Sequence, residues 1–165
     1  MTAWIIDDGP LEWLARSVDP KTVSSWPEDQ FFIAEATAQN ASGRRTDLLA
    51  HQRAIQTFRV MCGTDAFGIL YEHLRQPVES SANLAENQAI AWALAERDDA
   101  VLVTVDKRAA VLALAELGRS RVAHAFDLWM QLRDECNIST EEYDELCDAT
   151  LRADQSLKVL PIRCR

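Results

Sequence analysis

The run "AVLVTV" at residues 100–105 limits the fold more than any other feature of the chain. It is apolar, rich in β-branched side chains, and does not alternate with polar residues. A strand with one wet face would alternate; this pattern belongs to a strand covered on both faces. Its neighbours supply the cover. The preceding segment, 84–97, is apolar around most of a helical circumference, as a heavily buried helix must be. The following "AAVLALAEL" is helical and stops at Gly118, a natural C-terminal stop. "VAHAF" (122–126) then reads as a short strand, and "DLWMQL" as a helix. Strands that alternate with helices predict an α/β fold, a three-layer α/β/α sandwich around a mostly parallel sheet of about five strands.

The remaining elements fit that scheme. "AWII" (3–6) reads as a buried strand. Pro10 suits a first helical turn, and Leu11, Leu14, Ala15 and Val18 follow at helical spacing. "QFFIAEA" (30–36) reads as a second strand, with helix as the alternative, and "FRVMC" (58–62) as a short edge strand. Thr46 and Thr64 are candidate N-caps. Ser139 with Glu142 forms a capping box ahead of "EYDELCDATL". No repeat or linker divides the 165 residues, so one domain is expected, with 133–165 a C-terminal helix and tail packed on it.

Bulk properties narrow the function. No apolar run is long enough to span a bilayer, and no signal-peptide pattern opens the chain. A cytoplasmic protein is expected. Cys62, Cys136, Cys147 and Cys164 lack metal-type spacing and read as reduced, mostly packed thiols. His51, His73 and His124 are scattered. Five tryptophans are a high count for this length, and an exposed one would mark an interface. The net charge of −9 argues against coating nucleic acid by charge alone. It is compatible with an enzyme that meets phosphates through bound metal ions.

Two predicted strands run straight into aspartates: 3–6 into Asp7 and Asp8, and 100–105 into Asp106. In parallel α/β sheets, ligands sit outside the carboxyl ends of the strands. The helix before a parallel strand starts on that same side, so Glu86, in the first turn of helix 84–97, projects toward Asp106. Three converging carboxylates would repel one another unless a cation neutralised them, and hard oxygen donors favour Mg²⁺ or Mn²⁺. Each residue also has a local reading. Asp8, or else Asp7, caps the helix that contains Pro10; Glu86 pairs with Asn83 in a capping box; Asp106 and Asp127 cap the helices after them. Thr104, two residues before Asp106, either hydrogen-bonds a carboxylate or simply packs. Lys107, Arg108, Arg44 and Arg45 are candidate phosphate contacts or ordinary surface charges.

The order and spacing of these segments resemble the PIN-domain family, of the kind found as ribonuclease toxins in toxin–antitoxin modules. "IIDDGPLEWLA" resembles the family's opening strand, aspartate and helix, with Asp8 in place of a usual hydroxyl residue. "AENQAIAWALAE" resembles the helix that carries a glutamate, with Ala85 in place of a common glycine. "VLVTVDKRAAVLALAELG" resembles the strand that ends in a further aspartate, and "VAHAFDLWMQL" the strand and helix that follow. The match covers the first twenty residues and roughly 84–132. It implies a parallel sheet between helices and a metal-dependent endoribonuclease (a hydrolase). Mg²⁺ or Mn²⁺ would be held by Asp7, Glu86 and Asp106, with Asp8 and Thr104 just behind them. It also implies an antitoxin protein partner and a homodimer. The family's fourth acidic position falls on Asn40, with Glu35 nearby but earlier than expected. Asn40 either ligates through its amide oxygen or marks a weakened site, so a PIN-like binding or regulatory protein without catalysis is the competing expectation. A phosphate-handling domain of another type is disfavoured, because no Gly-rich loop follows any strand.

Overall fold

The structure is a computed structural model that describes residues 2–42, 51 and 54–153. It is an α/β fold with an all-parallel five-stranded sheet, β1 (Ala3–Ile6), β2 (Phe31–Ala34), β3 (Gln56–Phe58), β4 (Ala100–Val103) and β5 (Val122–Ala123), in the order β3-β2-β1-β4-β5. The chain works outward from β1 in one direction, then returns to lay β4 on its other side. The reversal therefore falls between β1 and β4, where a doubly wound sheet opens a crevice.

Alternation along the strands assigns the two faces. Trp4, Ile6, Phe31, Ile33 and Val103 point into one core. There they meet α1 (Asp8–Ser17), α7 (Ala125–Asp134) and α8 (Thr140–Ala153) through Leu11, Leu14, Leu128, Trp129, Leu132 and Leu146. Ala3, Ile5, Phe32, Ala34 and Leu102 point into the other core, covered by α5 (Leu84–Ala95) and α6 (Lys107–Leu117). The expected burial of α5 is borne out: Ala85, Ala89, Ile90, Ala91 and Ala93 are all buried. Its small side chains let it lie close on the sheet beneath α4 (Asp65–Gly68) and the π-helical turn Ile69–His73. Two shorter helices complete the description: α2 (Pro20–Val23) and α3 (Glu35–Ser42). Among the described residues, no helix is long and apolar enough to cross a membrane.

Several expectations shift in detail. The third strand lies at 56–58 rather than 58–62, because β2 turns into α3 after Ala34 and leaves β3 only three residues to pair with. Cys62 and Cys136 are exposed rather than packed. No tryptophan is exposed: Trp4, Trp13, Trp26 and Trp129 are buried, and the half-buried Trp92 stacks on Phe58 at 4.3 Å between ring centres. Thr46 lies outside the described residues, whereas Thr64 caps α4 and the Ser139–Glu142 capping box is present.

Helix α8 is fixed by one buried polar contact. The Trp129 indole donates to Thr150 Oγ1 at 3.0 Å, and that hydroxyl donates to the Leu146 carbonyl at 2.7 Å. Thr150→Val keeps the shape and leaves the buried indole N–H without an acceptor. It is expected to destabilise the fold by about 1–3 kcal/mol in urea unfolding; an unchanged midpoint would contradict this role for Thr150.

Candidate active site

One further residue along β1 and β4 brings the site into being. Ile6 is level with Val103, so continuing the register sets Asp7 beside Thr104, both leaning toward the α5 side of the sheet. The Asp7 backbone N–H still donates to the Val103 carbonyl at 3.1 Å. Thr104 Oγ1 donates to Asp7 Oδ2 at 2.6 Å and accepts from the Asp106 backbone N–H at 3.2 Å. A single hydroxyl thus joins the aspartates that end two neighbouring strands. Gly9 allows the close approach behind it: a Cβ there would stand 3.0 Å from Val105 Cγ2.

Asp7 is buried, with 8 % of its surface exposed. Its Oδ1 accepts the Asp8 backbone N–H at 2.8 Å. The N-cap of α1 is therefore Asp7, and the expectation that Asp8 holds this role is corrected: helical geometry begins at Asp8 itself, one residue earlier than the position of Pro10 suggested. Asp8 turns instead to α3, where its Oδ2 accepts from Asn40 Nδ2 at 3.4 Å. Asn40 thus stands beside the cluster as an amide. Glu35, the nearby acid, forms an ion pair with Arg59 at 2.9 Å.

Glu86 reaches the same edge from the first turn of α5, where a negative charge suits the helix dipole. The capping box with Asn83 does not form. Asn83 has left-handed backbone geometry (φ 56°) and makes no side-chain cap. Asp106 is exposed and does cap α6, its Oδ1 accepting from the Ala109 N–H at 2.8 Å. Asp127 is not the cap of α7. His124 holds that position, and Asp127 closes the box by accepting the His124 backbone N–H.

Electrostatics ties these groups together. Burial pushes the Asp7 carboxyl above its ordinary range; its hydrogen bonds to Thr104 and Asp8 oppose this, and the charge of Asp106 adds to it. Glu86 is also raised, first by burial and then by the charges of Asp7, Asp106 and Asp8. Carboxylates from α1, β1, α5 and the β4–α6 junction thus share one field at the topological switch point. The donor types, hard carboxylate oxygens beside an amide, suit a cation such as Mg²⁺ or Mn²⁺. Among the described residues, however, no three or more His, Cys, Asp or Glu side chains are gathered into a group that could hold a metal ion.

The histidines take structural roles. His51 Nε2 donates to the Val18 carbonyl at 2.6 Å, His73 pairs with Glu116 at 2.7 Å, and His124 Nδ1 accepts the Phe126 N–H at 3.2 Å. Lys107 and Arg108 are exposed in the first turn of α6, directly after Asp106, where the helix dipole disfavours cations. Arg44 and Arg45 lie outside the described residues. Sequence reading missed Arg59, because it placed this residue inside the third strand rather than just past its end. The chain matches no family model, no curated protein and no solved structure.

The raised carboxyls fix a sign. A folded state that holds protons more tightly than the unfolded chain loses stability as pH rises from the ordinary carboxylate value, about 4, through the raised values. Without divalent ions, wild type is expected to lose melting temperature over that rise. Asp7→Asn should flatten it and melt about 2–4 °C higher near neutrality, the shift that ~1 kcal/mol produces in a chain of this size. Circular-dichroism melts across pH check this; an Asp7→Asn protein that melts lower at neutral pH would contradict it.

Proposed function

We propose that the chain is a PIN-like endoribonuclease that uses Mg²⁺ or Mn²⁺ to hydrolyse RNA phosphodiesters, as the cytoplasmic toxin of a toxin–antitoxin pair. The observation that carries this reading is the shared field of Asp7, Glu86 and Asp106 at the switch point. Asp7 and Asp106 also cap the helices that follow them; beyond that local role, the carboxyls of Asp7 and Glu86 are raised first by burial and further by neighbouring carboxylate charge. The parallel sheet between helices and the chain order of the three acids support the PIN-like reading. A small antitoxin protein and a second copy of the chain are the partners this reading entails.

Asp7, Glu86 and Asp106 would hold the ion. A bound divalent cation supplies a water of lowered pKa and neutralises charge on the leaving oxygen. The chain's own contribution is order. Thr104 and the Asp8 N–H hold both oxygens of Asp7, so its direction is set before any ligand arrives. The Ala109 N–H holds one oxygen of Asp106. Asn40 steadies Asp8, which keeps a further negative charge at the rim. Lys107 and Arg108 would take non-bridging phosphate oxygens and offset the acidic surroundings.

Asn40, and the lack of a gathered three-carboxylate group among the described residues, favour a second reading: a PIN-like module that binds RNA or a partner without cleaving it. Cleavage assays on a broad RNA panel separate the two. The nuclease reading predicts manganese- or magnesium-dependent cleavage. Asp7→Asn should lose at least about 100-fold, and Thr104→Val about 10–100-fold, as when a ligand loses its supporting hydrogen bond. Folded wild type that cleaves nothing with either metal would leave the binding reading; wild-type rates in Asp7→Asn would overturn the site assignment.

A further inference from the structure

A cluster of carboxylates repels the polyanion it is proposed to act on, so cations must hold the strand on either side of it. Four of the described arginines are committed elsewhere. Arg97 forms a bidentate pair with Asp99 at 2.8 and 3.0 Å, and its guanidinium lies over Phe32. Arg121 donates to the carbonyls of Ala93, Arg97 and Ala100. Arg133 pairs with Asp134 and covers Tyr143, and Arg16 pairs with Glu12.

Arg59 differs in position and in the way it is held. Continuing the register from β1 through β2 to β3 puts Phe58 level with Asp7, two strands away, so Arg59 stands at the same carboxyl edge. Two inter-strand steps span about 10 Å. Glu35, first residue after β2, accepts from Arg59 Nε at 2.9 Å. That contact engages the Nε corner of the guanidinium, while the Arg59 side chain remains 70 % exposed against 30 % for Glu35. A guanidinium held through Nε keeps two terminal nitrogens for the two non-bridging oxygens of a phosphodiester and loses less side-chain freedom on binding than an untethered one. On the other flank of the site, Lys107 and Arg108 follow Asp106.

We propose that Arg59, held by Glu35, is a binding subsite for a second phosphate of a single-stranded polynucleotide that lies across the carboxyl edge from Lys107 and Arg108, over Asp7, to β3. The separation from Asp7 assigns it a neighbouring phosphate of the strand and not the one under attack. This inference rests on the nuclease reading above. It adds to that reading a substrate longer than one linkage and a direction for the strand on the protein.

The test measures binding and chemistry separately. Fluorescence anisotropy of a short labelled single-stranded RNA, in EDTA over a range of salt, compares wild type, Arg59→Ala and Lys21→Ala. Lys21 lies on α2, at the opposite end of the sheet, and its loss removes the same charge. Arg59→Ala should bind about five-fold more weakly, with a log–log salt slope smaller by about 0.7; Lys21→Ala should match wild type. Hydrolysis of a small phosphodiester with Mn²⁺, which cannot reach β3, should be equal in Arg59→Ala and wild type. If Arg59→Ala and Lys21→Ala change binding alike, or wild type does not bind the RNA, the subsite is overturned. A wild type that binds RNA with the predicted Arg59 dependence but hydrolyses no diester overturns the nuclease reading and supports the subsite as a binding surface.

Discussion

The hydrogen bond from Thr104 to Asp7 is the contact on which the rest of the site depends. It exists because β1 and β4 are parallel neighbours in a register that leaves residues 7 and 104 level. That pairing is what a sheet wound in both directions from β1 produces. The bond orients Asp7, the most buried carboxylate among the described residues. The same hydroxyl accepts from the Asp106 backbone, so the two strand ends cannot drift apart without breaking both contacts. Burying Asp7 costs free energy, and its two hydrogen-bond partners, Thr104 and the Asp8 N–H that it caps, offset part of that cost. Burial leaves its proton affinity raised, and a bound cation would lower it.

Much of this was legible in the sequence because parallel sheets write plainly. The unalternating "AVLVTV" and the apolar helix before it placed β4 and α5, and the aspartates at the strand ends placed Asp7 and Asp106 on one edge. Contacts set by the exact phase of a helix start were not legible. Whether Asp7 or Asp8 caps α1 depends on where helical geometry begins, and one residue exchanges their roles. Glu86 with Asn83 has capping-box spacing, yet Asn83 adopts a left-handed conformation that removes it from the cap. Arg59 escaped notice because strand ends depend on the partner: β3 stops where β2 turns, and nothing in "QTFRVM" records this.

The acidity of the chain and the placement of its cations belong to one account. Arg16, Arg97, Arg121 and Arg133 are bound to ion-pair partners or backbone carbonyls away from the site, whereas Lys107, Arg108 and the Glu35-paired Arg59 are exposed along the carboxyl edge. Among the described residues, these cations flank the carboxylates along that edge, which is the placement the proposed polynucleotide path requires. Asn40 is the counterweight. It supplies an amide where a fourth carboxylate would tighten the hold on a cation, and it spends its N–H on Asp8.

The central claim is that Asp7 and Glu86 are held in a repulsive field that a divalent cation neutralises. The most direct test follows the carbon resonances of those two carboxyls by NMR through a pH titration, with and without Mg²⁺. The account predicts that both titrate above the ordinary carboxylate range in the ion-free protein, and that Mg²⁺ moves both downward while leaving the exposed Glu141 and Glu145 in place. Carboxyls that titrate at ordinary values without the ion, or that ignore Mg²⁺, would contradict it.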